Sequence, residues 1–125
     1  MPTAASFFLL GLFVPSMALE AHLEVSVNST ATFTFSVTNG EDSPVELTFR
    51  SGKVADVAVT ESGEEVWRWS DGRMFTQALQ TRTLDSGETV EQEFVWEDPP
   101  AGEYEAVATL ASEPGAEADA TFTVS

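Results

Sequence analysis

Side chains able to carry out catalysis or bind a metal are scarce in this sequence. Its 125 residues include one histidine, His22, and no cysteine. A Ser-His-Asp arrangement needs a histidine held in place by a third group, and a zinc site needs several His or Cys ligands. His22 stands at the start of a strand-like segment, where we expect a surface residue. The sequence therefore predicts a protein that is not an enzyme, with no metal site and no cofactor.

Carboxylates are abundant, with 21 Asp and Glu residues against five Lys and Arg. Paired carboxylates can serve acid–base catalysis, but so many acids in turns form such pairs by chance. Glu41-Asp42 and Glu97-Asp98 offer loop carboxylates to calcium, although neither loop matches an EF-hand. The charge balance also argues against nucleic acid and anionic membranes as partners, because both are bound through clustered Lys and Arg. These observations favour a binding or interaction module.

The formal net charge of −16 has two interpretations, an ordinary acidic protein or a halophilic one. Like charges on a small domain repel each other at low ionic strength, where the Debye length is about 10 Å at 0.1 M. At molar salt this length falls to about 3 Å and the repulsion is largely screened. Lysine occurs once, as Lys53, and its near absence favours the halophilic interpretation.

The stretch from Gly63 to Phe75 is the most distinctive part of the chain. Trp67 and Trp69 are two residues apart, so on a strand they share one face, where they could anchor a core between two sheets. Arg68 then points to the other face. Asp71-Gly72 is a tight-turn signal, and apolar residues resume at Phe75. This pattern predicts a strand, a tight turn and a return strand. The mixed residues that follow, Thr76 to Leu84, predict an irregular strand or a crossing segment.

Alternating apolar and polar residues continue on both sides of this stretch. The clearest alternation is Ala31, Phe33, Phe35 and Val37, which predicts a strand with one buried face. Turn signals recur every 8 to 12 residues, and no segment has a convincing helical pattern. The sequence therefore predicts an all-β protein, an antiparallel β-sandwich of about seven to eight strands.

The first 16 residues differ from the rest, because they are uncharged and contain a continuous apolar run. That run is too short to span a bilayer, which takes about 20 apolar residues. It is either a signal-like segment, which would imply export, or a mis-assigned start, with translation beginning at Met17. No Lys or Arg precedes the run, which favours Met17. We therefore predict a leader at residues 1–16 and one folded domain at residues 17–125.

The central motif resembles the BsuPI-type intracellular proteinase inhibitor family. Its specific part is the Trp-x-Trp-Ser element at residues 67–70, followed by Phe75; Trp96 and the Gly-Glu-Tyr at 102–104 are similar to the family as well. The resemblance covers roughly Leu19 to Leu110. It implies an immunoglobulin-like β-sandwich and a cytoplasmic location. It also implies that the partner is an intracellular subtilisin-like serine protease, which the chain would inhibit.

Such an inhibitor is expected to present a rigid, exposed loop to the protease and to bind non-covalently. Two loops are candidates for this contact. The first is Asp71, Gly72, Arg73 and Met74, in which Met74 could fill a hydrophobic pocket; the second is Asp98, Pro99 and Pro100, stiffened by its prolines. The family-motif residues are expected to be structural: Trp67, Trp69, Ser70, Phe75, Trp96 and Tyr104.

A second hypothesis is a non-inhibitory immunoglobulin-like module for protein interaction or for the cell envelope. Many β-sandwiches serve such roles, and a fold alone does not establish a function. A genuine export signal at residues 1–16 would favour this hypothesis, whereas a start at Met17 would favour the inhibitor.

Overall fold

The computed structural model describes residues 19–125. The leader predicted at residues 1–16 and the alternative start at Met17 lie outside the described residues. Within residues 19–125 no helix is long and apolar enough to cross a membrane. These residues form ten β-strands. The strands are β1 Leu19–Val27, β2 Thr30–Asn39, β3 Val45–Phe49, β4 Ala55–Glu61, β5 Glu64–Arg68, β6 Gln80–Leu84, β7 Thr89–Glu97, β8 Gly102–Leu110, β9 Ser112–Glu113 and β10 Ala116–Val124.

The strands form three sheets with antiparallel pairing throughout. One has the order β1-β2-β7, the second β10-β8-β4-β5 and the third, smaller one β6-β3-β9. The first two face each other across the main core, so the predicted immunoglobulin-like antiparallel β-sandwich is confirmed, with ten strands in the described residues where about seven to eight are predicted. Among the described strands, β5 and β7 are edge strands of the two facing sheets. This arrangement places the central motif, on β5, at the rim of the sandwich.

The alternating segments bury the side that the sequence predicts. Ala31, Phe33, Phe35 and Val37 of β2 are all at most 2% exposed. On the opposite sheet, the same period of two buries Val57 and Val59 of β4 and four residues of β8. Because successive strand residues point to opposite faces, one buried face on each sheet is enough to build this core.

One buried polar residue fixes the turn after β2. Asn39 is fully buried, and its side-chain amide donates to the carbonyls of Ser43 and Leu84, at 2.9 Å each. Its Oδ1 accepts the Glu41 amide at 2.9 Å. These bonds satisfy a polar group that would be costly to bury alone, and they attach the turn to β6.

The predicted return strand at Phe75 is wrong. Residues 69–79 contain no strand, and the next strand, β6, pairs with β3 instead of β5. The expected tight turn at Asp71-Gly72 is present, with Gly72 at φ 78°. After it, however, the chain turns toward the loop that precedes β4, because the amide of Gly52 binds the carbonyl of Thr76 at 2.9 Å. The result is an irregular segment between β5 and β6.

Candidate functional site

The two tryptophans of the motif bridge the facing sheets. Trp67 stacks between Phe33 and Trp96, with ring centroids 5.8 Å and 5.4 Å away. Trp69 meets Phe94 edge to face at 5.0 Å. Both indoles point into the sandwich from β5 and from the residue after it, yet each remains half-buried at the rim. Such aromatic pairs add about 0.5–1.5 kcal/mol each beyond the burial of their surface.

A buried carboxylate anchors the end of β5 to β4. Asp56, at 5% exposure, accepts hydrogen bonds from the Ser70 hydroxyl at 2.6 Å and from the Ser70 amide at 3.1 Å. Its own neighbour Val57 donates a third bond at 2.9 Å. Ser70 is the first residue of the turn that leads to the candidate loop. Asp56 therefore fixes the point from which that loop starts.

Two cations balance the charge of Asp56. Lys53 Nζ lies 3.4 Å and Arg68 Nη1 lies 3.3 Å from Asp56 Oδ2. Burial is the strongest single influence on Asp56 and would raise the pKa of its carboxyl. The hydrogen bonds from Ser70 and Val57, together with the Lys53 and Arg68 cations, outweigh burial and hold the pKa below its ordinary value. Asp56 is therefore ionised at neutral pH and acts as a structural anchor.

The Asp71–Met74 loop is short and held by its own backbone. The amide of Asp71 donates to the Arg68 carbonyl, and that of Arg73 to the Ser70 carbonyl, each at 3.1 Å. The guanidinium of Arg73 lies 4.3 Å from the Trp69 ring centroid, and its Nε donates to the Trp69 carbonyl at 2.8 Å. The next side chain, Met74, is 97% exposed. The loop thus displays one apolar side chain directly beside a fixed cation.

The chain is also held on the far side of Met74. The ring of Phe75 lies 5.9 Å from that of Trp69, so Arg73 and Phe75 both pack on the same indole. Thr76 is bound through its carbonyl to the Gly52 amide, and a Cβ at Gly52 would lie 2.7 Å from Thr76 Oγ1. Glycine at position 52 therefore allows this close approach.

The second candidate loop has a different support. The hydroxyl of Tyr104, on β8, donates to the carbonyl of Pro100 at 2.6 Å. Asp98 has φ 55°, a left-handed conformation that a residue other than glycine seldom adopts. Pro99 is half-buried and Pro100 is exposed. This loop is constrained, but it exposes no large apolar side chain comparable with Met74.

A groove beside the first candidate loop is lined by three tryptophans. Its lining includes Trp67, Trp69 and Trp96 together with Asp71, Arg73 and Glu97. Glu97 directly precedes the Asp98–Pro100 loop, although the residues of that loop are not part of the lining. Of the predicted contact residues, Asp71 and Arg73 therefore line the groove.

The described residues contain no cluster of metal-binding side chains. His22 is exposed on β1, and no group of three or more His, Asp or Glu side chains in residues 19–125 could hold a metal ion. The arrangement that the structure does show is suited to presenting a side chain to a partner.

Two supporting residues, Gly52 and Asp56, are not among the site residues predicted from the sequence. Arg73 is among them, but its stacking on Trp69 is not predicted. Asp56 offers a signal, since an acid stands between Ala55 and Val57 in an apolar strand. The role of Gly52 has no local signal, because its contact with Thr76 depends on the tertiary course of the irregular segment.

Comparison with known proteins identifies the family. No curated protein matches the chain significantly. A solved structure with some similarity is the GAE domain of GGA2p from Saccharomyces cerevisiae, with 19% identity, 92% of this chain and 96% of that chain covered, and a TM-score of 0.36. The BsuPI family, described as intracellular proteinase inhibitor, matches residues 19–115. The match includes β1 to β9 and both candidate loops, so the chain belongs to the BsuPI family of intracellular proteinase inhibitors, a family of inhibitors and not of enzymes.

Proposed function

We propose that this chain inhibits an intracellular subtilisin-like serine protease by inserting its Asp71–Met74 loop, without a covalent bond, into the cleft of the protease. The observation that carries the proposal is the display of Met74. Its side chain is 97% exposed, while the residues on both sides of it pack on Trp69. The family match supports a protease as the partner.

The rigidity of the loop has a direct consequence for binding. Ordering a flexible loop costs free energy, and a loop already held in its bound shape avoids most of that cost. Many small inhibitors obtain rigidity from disulfides, but this sequence has no cysteine. Here non-covalent contacts supply the rigidity. Arg73 and Phe75 pack on Trp69, the amides of Asp71 and Arg73 form turn hydrogen bonds, and Thr76 is bound to Gly52.

Met74 is suited to a hydrophobic specificity pocket. An unbranched, flexible thioether adapts to a pocket of irregular shape and gains free energy when its apolar surface leaves water. The Asp98–Pro100 loop is a secondary contact in this proposal, because it follows Glu97, which lines the same groove as Asp71 and Arg73. The location that we propose is the cytoplasm, in keeping with the description of the family as intracellular.

The test is a titration of a purified subtilisin-like serine protease with the full chain and with a chain beginning at Met17. Both are measured in low and in molar salt, since an unfolded acidic chain would be digested and would conceal inhibition. We expect stoichiometric inhibition with the inhibitor chain left intact. Met74→Glu should abolish inhibition, because a charge cannot enter an apolar pocket without a large desolvation cost.

Leu79→Glu is the matched control for this variant. Leu79 is 65% exposed in the same irregular segment, so its substitution makes the same change of charge outside the proposed contact. Rapid digestion of a folded wild-type chain, or no inhibition by it, would contradict the proposal. Such a result would favour a non-inhibitory module for protein interaction or for the cell envelope.

A further inference from the structure

The inference concerns the role of Arg73 in the proposed inhibitor, and it rests on that proposed function. The guanidinium of Arg73 is fixed in place by the Trp69 ring, 4.3 Å away, and by the bond from its Nε to the Trp69 carbonyl. Within residues 19–125 Arg73 forms no ion pair, and its two terminal nitrogens have no hydrogen-bond acceptor. Arg73 is exposed, so its remaining donors are accessible to a partner.

Three of the other four cations of the chain are used differently, whereas Arg50, like Arg73, forms no ion pair within residues 19–125. Arg68 binds Glu65 through two bonds, of 2.7 Å and 3.2 Å, and also contacts Asp56. Lys53 contacts Asp56, and Arg82 contacts Glu88. Each of these side chains shares its charge with a carboxylate of the same chain. Arg73 instead stacks on an aromatic ring, which leaves its positive charge available to a partner.

The charge of the surface beside Met74 is also unusual for this chain. A depression of about 430 Å³ adjoins Met74, and its lining contains Lys53 and Arg73 but no carboxylate. The chain as a whole carries 21 acidic residues and a formal charge of −16. The lining of this depression therefore holds cationic side chains and no acidic one, with Lys53 shared with the buried Asp56 and Arg73 unpaired within residues 19–125, and it adjoins Met74.

We propose that Arg73 binds a carboxylate of an Asp or Glu side chain on the rim of the protease cleft, beside the pocket that receives Met74. A planar guanidinium pairs with a carboxylate through two parallel hydrogen bonds. Because the stacking on Trp69 already orders Arg73, little side-chain freedom is lost on binding. The partner is thus a protease with an acidic cleft rim. The negative charge of the whole chain would repel such a rim, and the cations beside Met74 attract it to this loop.

The experiment compares Arg73→Gln and Arg73→Lys with the control Arg82→Gln in the full chain. Inhibition of a subtilisin-like serine protease that the wild-type chain inhibits is measured from about 0.1 M to 2 M salt. Arg73→Gln should weaken binding by about tenfold or more at the lowest salt at which the chain is folded, and the loss should shrink as salt rises. Arg73→Lys should lose less, since it keeps the charge, and Arg82→Gln should change binding less than about twofold.

A second measurement separates the contact with the protease from a change in the loop itself. Each acidic residue at the cleft rim of the protease is replaced in turn by its amide, and the Arg73→Gln variant is titrated against each. One of these replacements should remove the difference between wild-type and variant. An unchanged difference against every replacement would overturn the inference.

The failure of this inference can be told apart from the failure of the proposed function. If Met74→Glu loses inhibition while Arg73→Gln inhibits as well as the wild-type chain, the carboxylate contact is overturned and the inhibitory loop stands. If the folded wild-type chain inhibits no subtilisin-like protease, both proposals are overturned.

Discussion

Asp56 and Ser70 are 14 residues apart in the chain, and the Ser70 hydroxyl donates a 2.6 Å hydrogen bond to the Asp56 carboxylate. This bond joins β4 to the residue from which the candidate loop starts. The carboxylate also forms ion pairs with Lys53 and with Arg68. Removing it would leave two cations without their buried partner, so the anchor affects both the stability and the loop.

Asp56→Asn should lower the free energy of unfolding by about 3 kcal/mol at neutral pH, because charged hydrogen bonds to a buried group are lost. The folded state lowers the pKa of Asp56, so its contribution is present above the unfolded pKa, near 4, and is lost as pH falls through the folded pKa. Urea unfolding from about pH 6 to pH 2 should therefore show a difference between wild-type and variant that shrinks with acid. Two parallel curves would contradict this assignment.

Local sequence patterns predict the buried faces of the strands in this protein. The alternation at Phe33 and Phe35 predicts a buried strand face, because a period of two residues requires one side to face the core. The faces of Trp67 and Trp69 follow from the same rule, and both indoles do meet the opposite sheet. Such local patterns are sufficient for the sandwich and its core.

The partner that the chain contacts after Phe75 could not be predicted in this way. Apolar residues and a turn signal favour a return strand, but the Thr76 carbonyl binds Gly52, far away in the sequence. Likewise, the stacking of Arg73 on Trp69 depends on the turn that brings them together. These contacts are tertiary, and the residue types in the stretch are compatible with either a return strand or an irregular segment.

Gly52→Ala tests whether the irregular segment positions Met74. The added Cβ would lie 2.7 Å from Thr76 Oγ1 and 3.3 Å from the Thr76 amide nitrogen, so the Thr76 side chain must rotate or the backbone at Thr76 must move. We expect inhibition to weaken several-fold, with stability changed by less than about 1 kcal/mol, since the contact lies at the surface. Adding Thr76→Ala removes Oγ1 and should restore part of the inhibition. Wild-type inhibition by Gly52→Ala would show that the position of the segment is unimportant.

Tyr104→Phe distinguishes the two candidate loops. It removes the 2.6 Å bond to the Pro100 carbonyl and should lower the free energy of unfolding by about 1–2 kcal/mol. If the Asp71–Met74 loop is the main contact, the inhibition constant of the folded variant should change by less than about twofold. A loss of about tenfold would instead assign the main contact to the Asp98–Pro100 loop. Gel analysis for cleavage near Asp98 would show whether that loop has become accessible.

Salt should stabilise this domain, because its formal charge of −16 makes the folded state repel itself. The strand pairing even places Glu61 of β4 directly opposite Glu64 of β5, and like charges in this position destabilise a sheet. Raising sodium chloride from about 0.1 M to 2 M shortens the Debye length to a few ångströms and should raise the Tm by about 5 °C or more. Glu64→Gln should raise the Tm at low salt and reduce the salt dependence, because it removes one member of the pair. Thermal unfolding of both proteins measures this, and a Tm independent of salt would count against adaptation to a halophilic environment.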